Sequence, residues 1–342
     1  MRKLLVIFCA GISFLGCSQK EKTLASKDTK VTYDINKHIF PEAKHITEDN
    51  FVYELNSQIK HYNNEPIYYF RIHKQNCLIE VYVNDIFNND DYELSNYITP
   101  INIYPILKSG KQEVTVKMYP VGNLINEDLG RENAPPSTTL SDNAEVEIEV
   151  IMMDNKSKKR FDDEKSIVKH MNPKEVAGKE YYEFSFTFDA DVPYEFEGWT
   201  KGQDLRKLDQ DLVREKAEEF YKMVGEIHVK NDLDSELKIV YPSTIRIRQV
   251  LYKDNNIKKL FEEYKEYVVD DYNQLPIINY TLQYMGNGKL LRLITNNLDT
   301  NLRGGGALKL EYGKDKDIFQ PGITLFLPEG RDLATQGFMM WK

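Results

Sequence analysis

Residues 144–152 read Ala-Glu-Val-Glu-Ile-Glu-Val-Ile-Met, with acids at 145, 147 and 149 and Val146, Ile148 and Val150 among them. Side chains alternate across a strand, so this stretch has one wet face and one apolar face. The same period of two runs through residues 67–73, 77–83, 112–119 and 181–188, the last placing Tyr182, Phe184, Phe186 and Phe188 on one side. One wet and one buried face per strand is the pattern of antiparallel sheets packed face to face. Residues 31–190 are therefore predicted to form an antiparallel β-sandwich.

Toward the C-terminus the pattern changes. Residues 189–202 carry Pro193, Gly198 and Gly202 and break the period, which places a domain boundary there. Beyond it Leu205, Leu208, Leu212, Val213, Ala217, Phe220, Tyr221 and Val224 form a stripe with helical spacing. A second helix is predicted over 257–268, capped by Asn255 or Asn256. Residues 234–241 fit either a helix or a strand, and Pro242 is expected to end them. From Ile278 the period of two returns. Residues 278–284 and 289–295 flank Gly286-Asn287-Gly288, a hairpin signal, and 308–312, 323–327 and 338–341 complete a small antiparallel sheet. Helices followed by a sheet make 200–342 an α+β domain and the chain α+β overall. That order is similar to the nuclear-transport-factor-like folds, in which a curved sheet wraps a pocket.

Between the strands, residues 120–143 are polar, contain Pro135-Pro136 and show no period, which predicts a flexible loop. Asn88-Asn89-Asp90-Asp91 offers oxygens to a cation but meets no calcium-loop spacing, so it reads as a solvated turn. The stretch 79–120 resembles, in its turns, the β-sandwich modules found beside many glycoside hydrolases. The resemblance implies the sandwich architecture and, more weakly, a glycan ligand.

At the N-terminus Arg2 and Lys3 precede an apolar run from Leu4 to Gly16 that is too short to span a bilayer as a helix. It ends Phe14-Leu15-Gly16-Cys17, which resembles the lipobox of bacterial lipoproteins, with Phe14 standing where Leu is usual. The resemblance implies removal of a signal peptide, residues 1–16, and lipidation of Cys17. It places the chain in the cell envelope on the outer rather than the inner membrane, its body in the periplasm or at the cell surface, and makes the membrane a partner through the N-terminal lipid. Residues 17–30 then form a lipid anchor and polar tether. Cys9 leaves with the signal, so the only cysteine left after Cys17 is Cys77, which shares a strand face with Ile79, Val81 and Val83 and is expected to be a small buried hydrophobe.

Composition bounds the function. Hydrophobic residues at 41% and charged residues at 29%, with 18 Gly and 13 Pro, exclude a collagen, a disordered chain and a polytopic membrane protein. A net charge of −9 argues against a general grip on nucleic acid and suits a basic partner. No His-Glu-x-x-His, G-x-S-x-G, phosphate-binding glycine loop or dinucleotide fingerprint occurs; Gly304-Gly305-Gly306 reads as a turn between strands. The six His are scattered, and the close pair Glu195 and Glu197 is the kind that occurs by chance among 54 acids. No catalytic residue, cofactor or metal is expected. The sequence thus reads as a lipid-anchored, non-enzymatic interaction module, for example one that captures a protein partner at the membrane as immunity lipoproteins do, with a glycan-binding accessory lipoprotein as the alternative.

Overall fold

Alternation with one apolar face is what a strand needs to pair and bury at once, and each alternating stretch is a strand in the structure. The computed structural model describes residues 33–94, 96–103, 107–131, 133–157, 161–253, 256–267, 271–297 and 302–342. The signal peptide, Cys17, the tether and Asn255 lie outside the described residues. A short helix α1 (Phe51–Gln58) precedes β1 (Pro66–Gln75), β2 (Leu78–Val83), β3 (Ile86–Asp91), β4 (Tyr97–Asn102) and β5 (Gly110–Tyr119). Helix α2 (Leu124–Leu129) follows, then β6 (Glu145–Asp154), β7 (Lys165–Met171) and β8 (Tyr182–Ala190).

These strands form two antiparallel sheets, ordered β4-β1-β6-β7 and β3-β2-β5-β8. Their inner faces meet in one core, where Phe70, Ile72, Val146, Ile148 and Val150 of the first sheet face Ile79, Val81, Val114, Val116 and Phe186 of the second. Cys77 is buried in that core. Lys74 is also inside: its ammonium pairs with Asp91 at 2.9 Å and donates to the Glu93 carbonyl at 2.6 Å, linking β1 to β3 and the segment after it. A buried charge is tolerated when it is paired in this way.

The C-terminal half begins with helices α3 (Gln210–Lys230), α4 (Leu233–Val250) and α5 (Ile257–Tyr267). Strands β9 (Asn273–Gln274), β10 (Tyr280–Met285), β11 (Leu290–Thr295), β12 (Leu310–Tyr312), β13 (Asp317–Phe319) and β14 (Leu325–Phe326) follow, then α6 (Leu333–Gln336) and β15 (Met339–Met340). Two small antiparallel sheets result, ordered β10-β11-β14-β15 and β13-β12-β9. The fold is α+β with open sheets.

The two halves share apolar contacts. Trp199, Ile247, Tyr252, Met285, Phe326 and Trp341 are buried with the sandwich core. Ile39, Ile46, Phe51 and Leu55, which precede the sandwich in sequence, are buried instead among α3, α4 and the C-terminal sheet. The stretch 189–202 is irregular, as its Pro and Gly content suggests, yet Val192, Tyr194 and Trp199 are buried within it.

Three local expectations are corrected. Residues 88–91 are not a solvated turn but the end of β3, with Asn88 and Asn89 buried; turn-forming residues are held extended by pairing with β2. Pro242 does not end a helix: α4 runs through it to Val250, since Pro242, Tyr241, Ile247 and Val250 are buried and packing outweighs one lost backbone bond. Residues 120–143 are not simply a loop. They contain α2, whose Leu124 is buried with Leu78 and Val121 against Tyr92 and Tyr119, and Gly122 bridges Ser137. Strands β4 and β7 and helix α1 had no sequence expectation of their own.

Candidate functional site

Glu80 and Tyr82 are two residues apart on β2 and therefore share the outer face of the second sheet, opposite Ile79 and Val81. Strand pairing sets Asp90 beside Glu80 on one side, then Lys117 beside Glu80 on the other and Glu183 beyond it, giving a row of four charged residues across four strands. Glu80 accepts three phenols: Tyr82 donates to Oε2 at 2.8 Å, Tyr119 to Oε2 at 3.2 Å, and Tyr92 to Oε1. Burial, with the Glu80 charge added, holds all three phenols well above the usual tyrosine range, so they stay protonated donors.

The C-terminal sheet closes one end of this network. Gln283 of β10 donates its Nε2 to the Tyr82 hydroxyl at 2.8 Å. Arg292, its cross-strand partner on β11, lies 4.4 Å over the Phe87 ring and donates to the Gly304 carbonyl at 3.4 Å. Arg292 Nη1 and Gln283 Oε1 are buried without a hydrogen-bond partner among the described residues. Gly304 has φ +73°, and a β-carbon there would stand 2.7 Å from Asp90 Oδ2. The Asp90 carboxyl is pushed up to about 7, first by burial; Arg292 opposes the shift, and Glu80 and Asp91 add to it. Below neutral pH the Asp90 carboxyl, opposite Glu80, is therefore held in its neutral form.

Two open concavities lie on the surface of the described residues. The larger, about 460 Å³, lies between the 47–50 turn and the turn joining α3 to α4, and Glu48, Asp49, Asp232 and Asp234 line it. Two of its acids are held in place: Asp232 accepts from the Ser235 amide at 3.1 Å and the Tyr33 hydroxyl at 2.9 Å, and Asp234 accepts from the Glu48 amide at 2.8 Å, while the Glu48 carboxylate pairs with Lys265 at 3.1 Å. A second groove, about 340 Å³, is lined by Tyr33, Lys37, His38 and Glu226 among others.

Residues singled out from the sequence are dispersed. Glu195 is exposed and Glu197 pairs with Lys201. His170 stacks between Phe184 and Phe186 at the sandwich edge, and His228 sits edge-on to Tyr272 and Phe319, both packing roles. Gly304–Gly306 forms the turn that packs on Tyr92 and Asp90. Cys17 lies outside the described residues. The Glu80 network escaped sequence reasoning because its members come from β2, β3, β5, β10 and β11; the only local sign was Glu80 and Tyr82 on the wet face of an otherwise apolar strand. Among the described residues no helix is long and apolar enough to cross a membrane. The chain matches no family model, no curated protein and no solved structure.

Proposed function

We propose that this chain is a lipid-anchored, exported, non-enzymatic interaction module that holds a basic protein partner near the membrane. The observation that carries it is the open groove lined by Glu48, Asp49, Asp232 and Asp234, in which Asp232 and Asp234 are fixed by backbone and phenol donors before any partner arrives. A preordered acidic surface attracts cations over about a Debye length, roughly 8 Å at physiological salt, and mainly speeds association and selects sign. The anchor half rests on the Phe14-Leu15-Gly16-Cys17 motif. Cys17→Ser should abolish fatty-acid labelling and move the protein from the detergent-extracted membrane fraction to the soluble one; an unlabelled wild type would remove the anchor.

The capture half is tested by cross-linking in intact cells, identifying the captured protein and measuring its affinity for the purified chain. The partner should be basic, binding should weaken steeply with salt, and Glu48→Lys with Asp49→Lys should reduce affinity about tenfold or more, corresponding to some 1.4 kcal/mol. Salt-insensitive binding that survives the double charge reversal would exclude this groove. Glycan binding is the second reading. It is favoured by Tyr119 and Tyr181, 5.3 Å apart on the outer face of the second sheet, with Tyr181 exposed. Retardation of the chain in polysaccharide-containing native gels, lost in Tyr181→Ala, would favour it.

A further inference from the structure

Two hairpin tips meet where the sandwich joins the C-terminal sheet. Gly286 and Asn287, in the β10–β11 turn, donate backbone amides to the Asp85 carbonyl at 3.0 Å and to Asp85 Oδ2 at 2.8 Å. Beside them run the Gln283–Tyr82 hydrogen bond and the Arg292–Phe87 contact. Asp90 also lies at this junction, against Gly304 and directly opposite Glu80. Like charges directly opposite on paired strands repel, and here the pair is at a packed junction rather than in water.

We infer that Asp90, standing opposite Glu80, makes this junction sensitive to pH, closed while Asp90 keeps its proton and loosened once Asp90 ionises. Glu80 is fixed as the acceptor of three phenols, and burial holds the proton on Asp90. Facing them are Tyr82 on β2, Asp91 and Tyr92 beside Asp90, Lys117 and Tyr119 on β5, and Arg292 on β11. Asp91 is committed to Lys74 on the inner side. Arg292 is the cation on the C-terminal side that opposes the repulsion, and it does so from across the junction.

The sign follows from linkage. An acid whose folded pKa is raised favours the closed state at low pH, and that preference is lost as pH rises from its ordinary value of 3.8 to about 7. In that window local opening should rise by up to about tenfold per pH unit and level off above it. The test is hydrogen exchange of the full chain from pH 4.5 to 8, corrected for intrinsic rates, read in peptides covering 86–92 and 302–306. Wild-type protection should fall with pH and that of Asp90→Asn should stay flat, the other carboxylates cancelling in the comparison. A carboxyl NMR titration of the wild type guards against a misfolded variant: Asp90 should titrate near neutrality, and Glu80→Gln should move its midpoint down. Equal exchange slopes in wild type and Asp90→Asn, an Asp90 midpoint below pH 5, or a midpoint indifferent to Glu80→Gln would each overturn the inference.

Discussion

Cys77 illustrates how far one residue can be read. Its place between apolar alternating neighbours predicts a buried thiol, and the sulfur is buried 3.8 Å from the Glu145 carbonyl. Burial pushes the thiol up to about 12, leaving almost no thiolate at neutral pH. The native thiol should therefore resist alkylation until the chain is denatured, and Cys77→Ala should cost about 1 kcal/mol or somewhat more through a small cavity. Rapid labelling of the folded protein would count against this placement. Tyr221 shows the reverse case. Its helical spacing marks it as core, but nothing local tells that its hydroxyl donates to the Ile323 carbonyl and accepts from the Leu293 amide, each at 2.9 Å. Tyr221→Phe keeps the ring and strands both backbone groups, so urea unfolding should show a loss of about 1–3 kcal/mol. A change within error would mean that water replaces the hydroxyl.

At the scale of elements, ends and irregularities are chemical. Helix α3 starts where Asp209 accepts from the Asp211 amide at 2.9 Å and the Leu212 amide at 3.2 Å, and ends at Asn231 in a left-handed conformation. Asp209→Ala should lower stability by about 1 kcal/mol, measured by thermal or urea unfolding, whereas Asp209→Ser should recover most of it. The turn before β12 depends on Gly304, whose positive φ and contact with Asp90 leave no room for a β-carbon. Gly304→Ala should therefore destabilise the chain and first weaken exchange protection near β3. The alternating strands, α3 and the 280–295 hairpin were legible because each carries its own period. Strand β3 was not, because Asn88, Asn89, Asp90 and Asp91 are polar on both faces and have no period to read. Helix α4 was misjudged because a proline is locally a stop, while burial of its surroundings is not visible locally.

For the whole molecule the decisive feature is the apolar seam between the halves. Trp199 and Trp341 meet edge to face at 5.9 Å, Phe326 stacks on Phe40, and Gly286 lies against Trp199 and Ile86. The segment holding Ile39, Ile46, Phe51 and Leu55 belongs spatially to the helices. Expressed separately, residues 31–199 and 200–342 should each unfold at lower urea than the full chain, and mixing them should raise both midpoints, with tryptophan fluorescence following the seam. Fragment midpoints equal to that of the full chain, unmoved by mixing, would show that the seam contributes nothing to stability.

The sequence by itself determined the class of the molecule and the position of its most regular elements, because one wet and one apolar face per strand, or one apolar stripe per helix, is written within a dozen consecutive residues. It also carried the lipobox-like motif on which the anchoring proposal rests. Tertiary structure alone decided that Asp90 stands opposite Glu80, that three tyrosines from β2, β5 and the residue after β3 converge on one carboxylate, and that Gln283 and Arg292 close over them. Register between distant strands is set by turns and by the burial of whole faces, so the neighbours of a polar residue are a property of the assembled sheets.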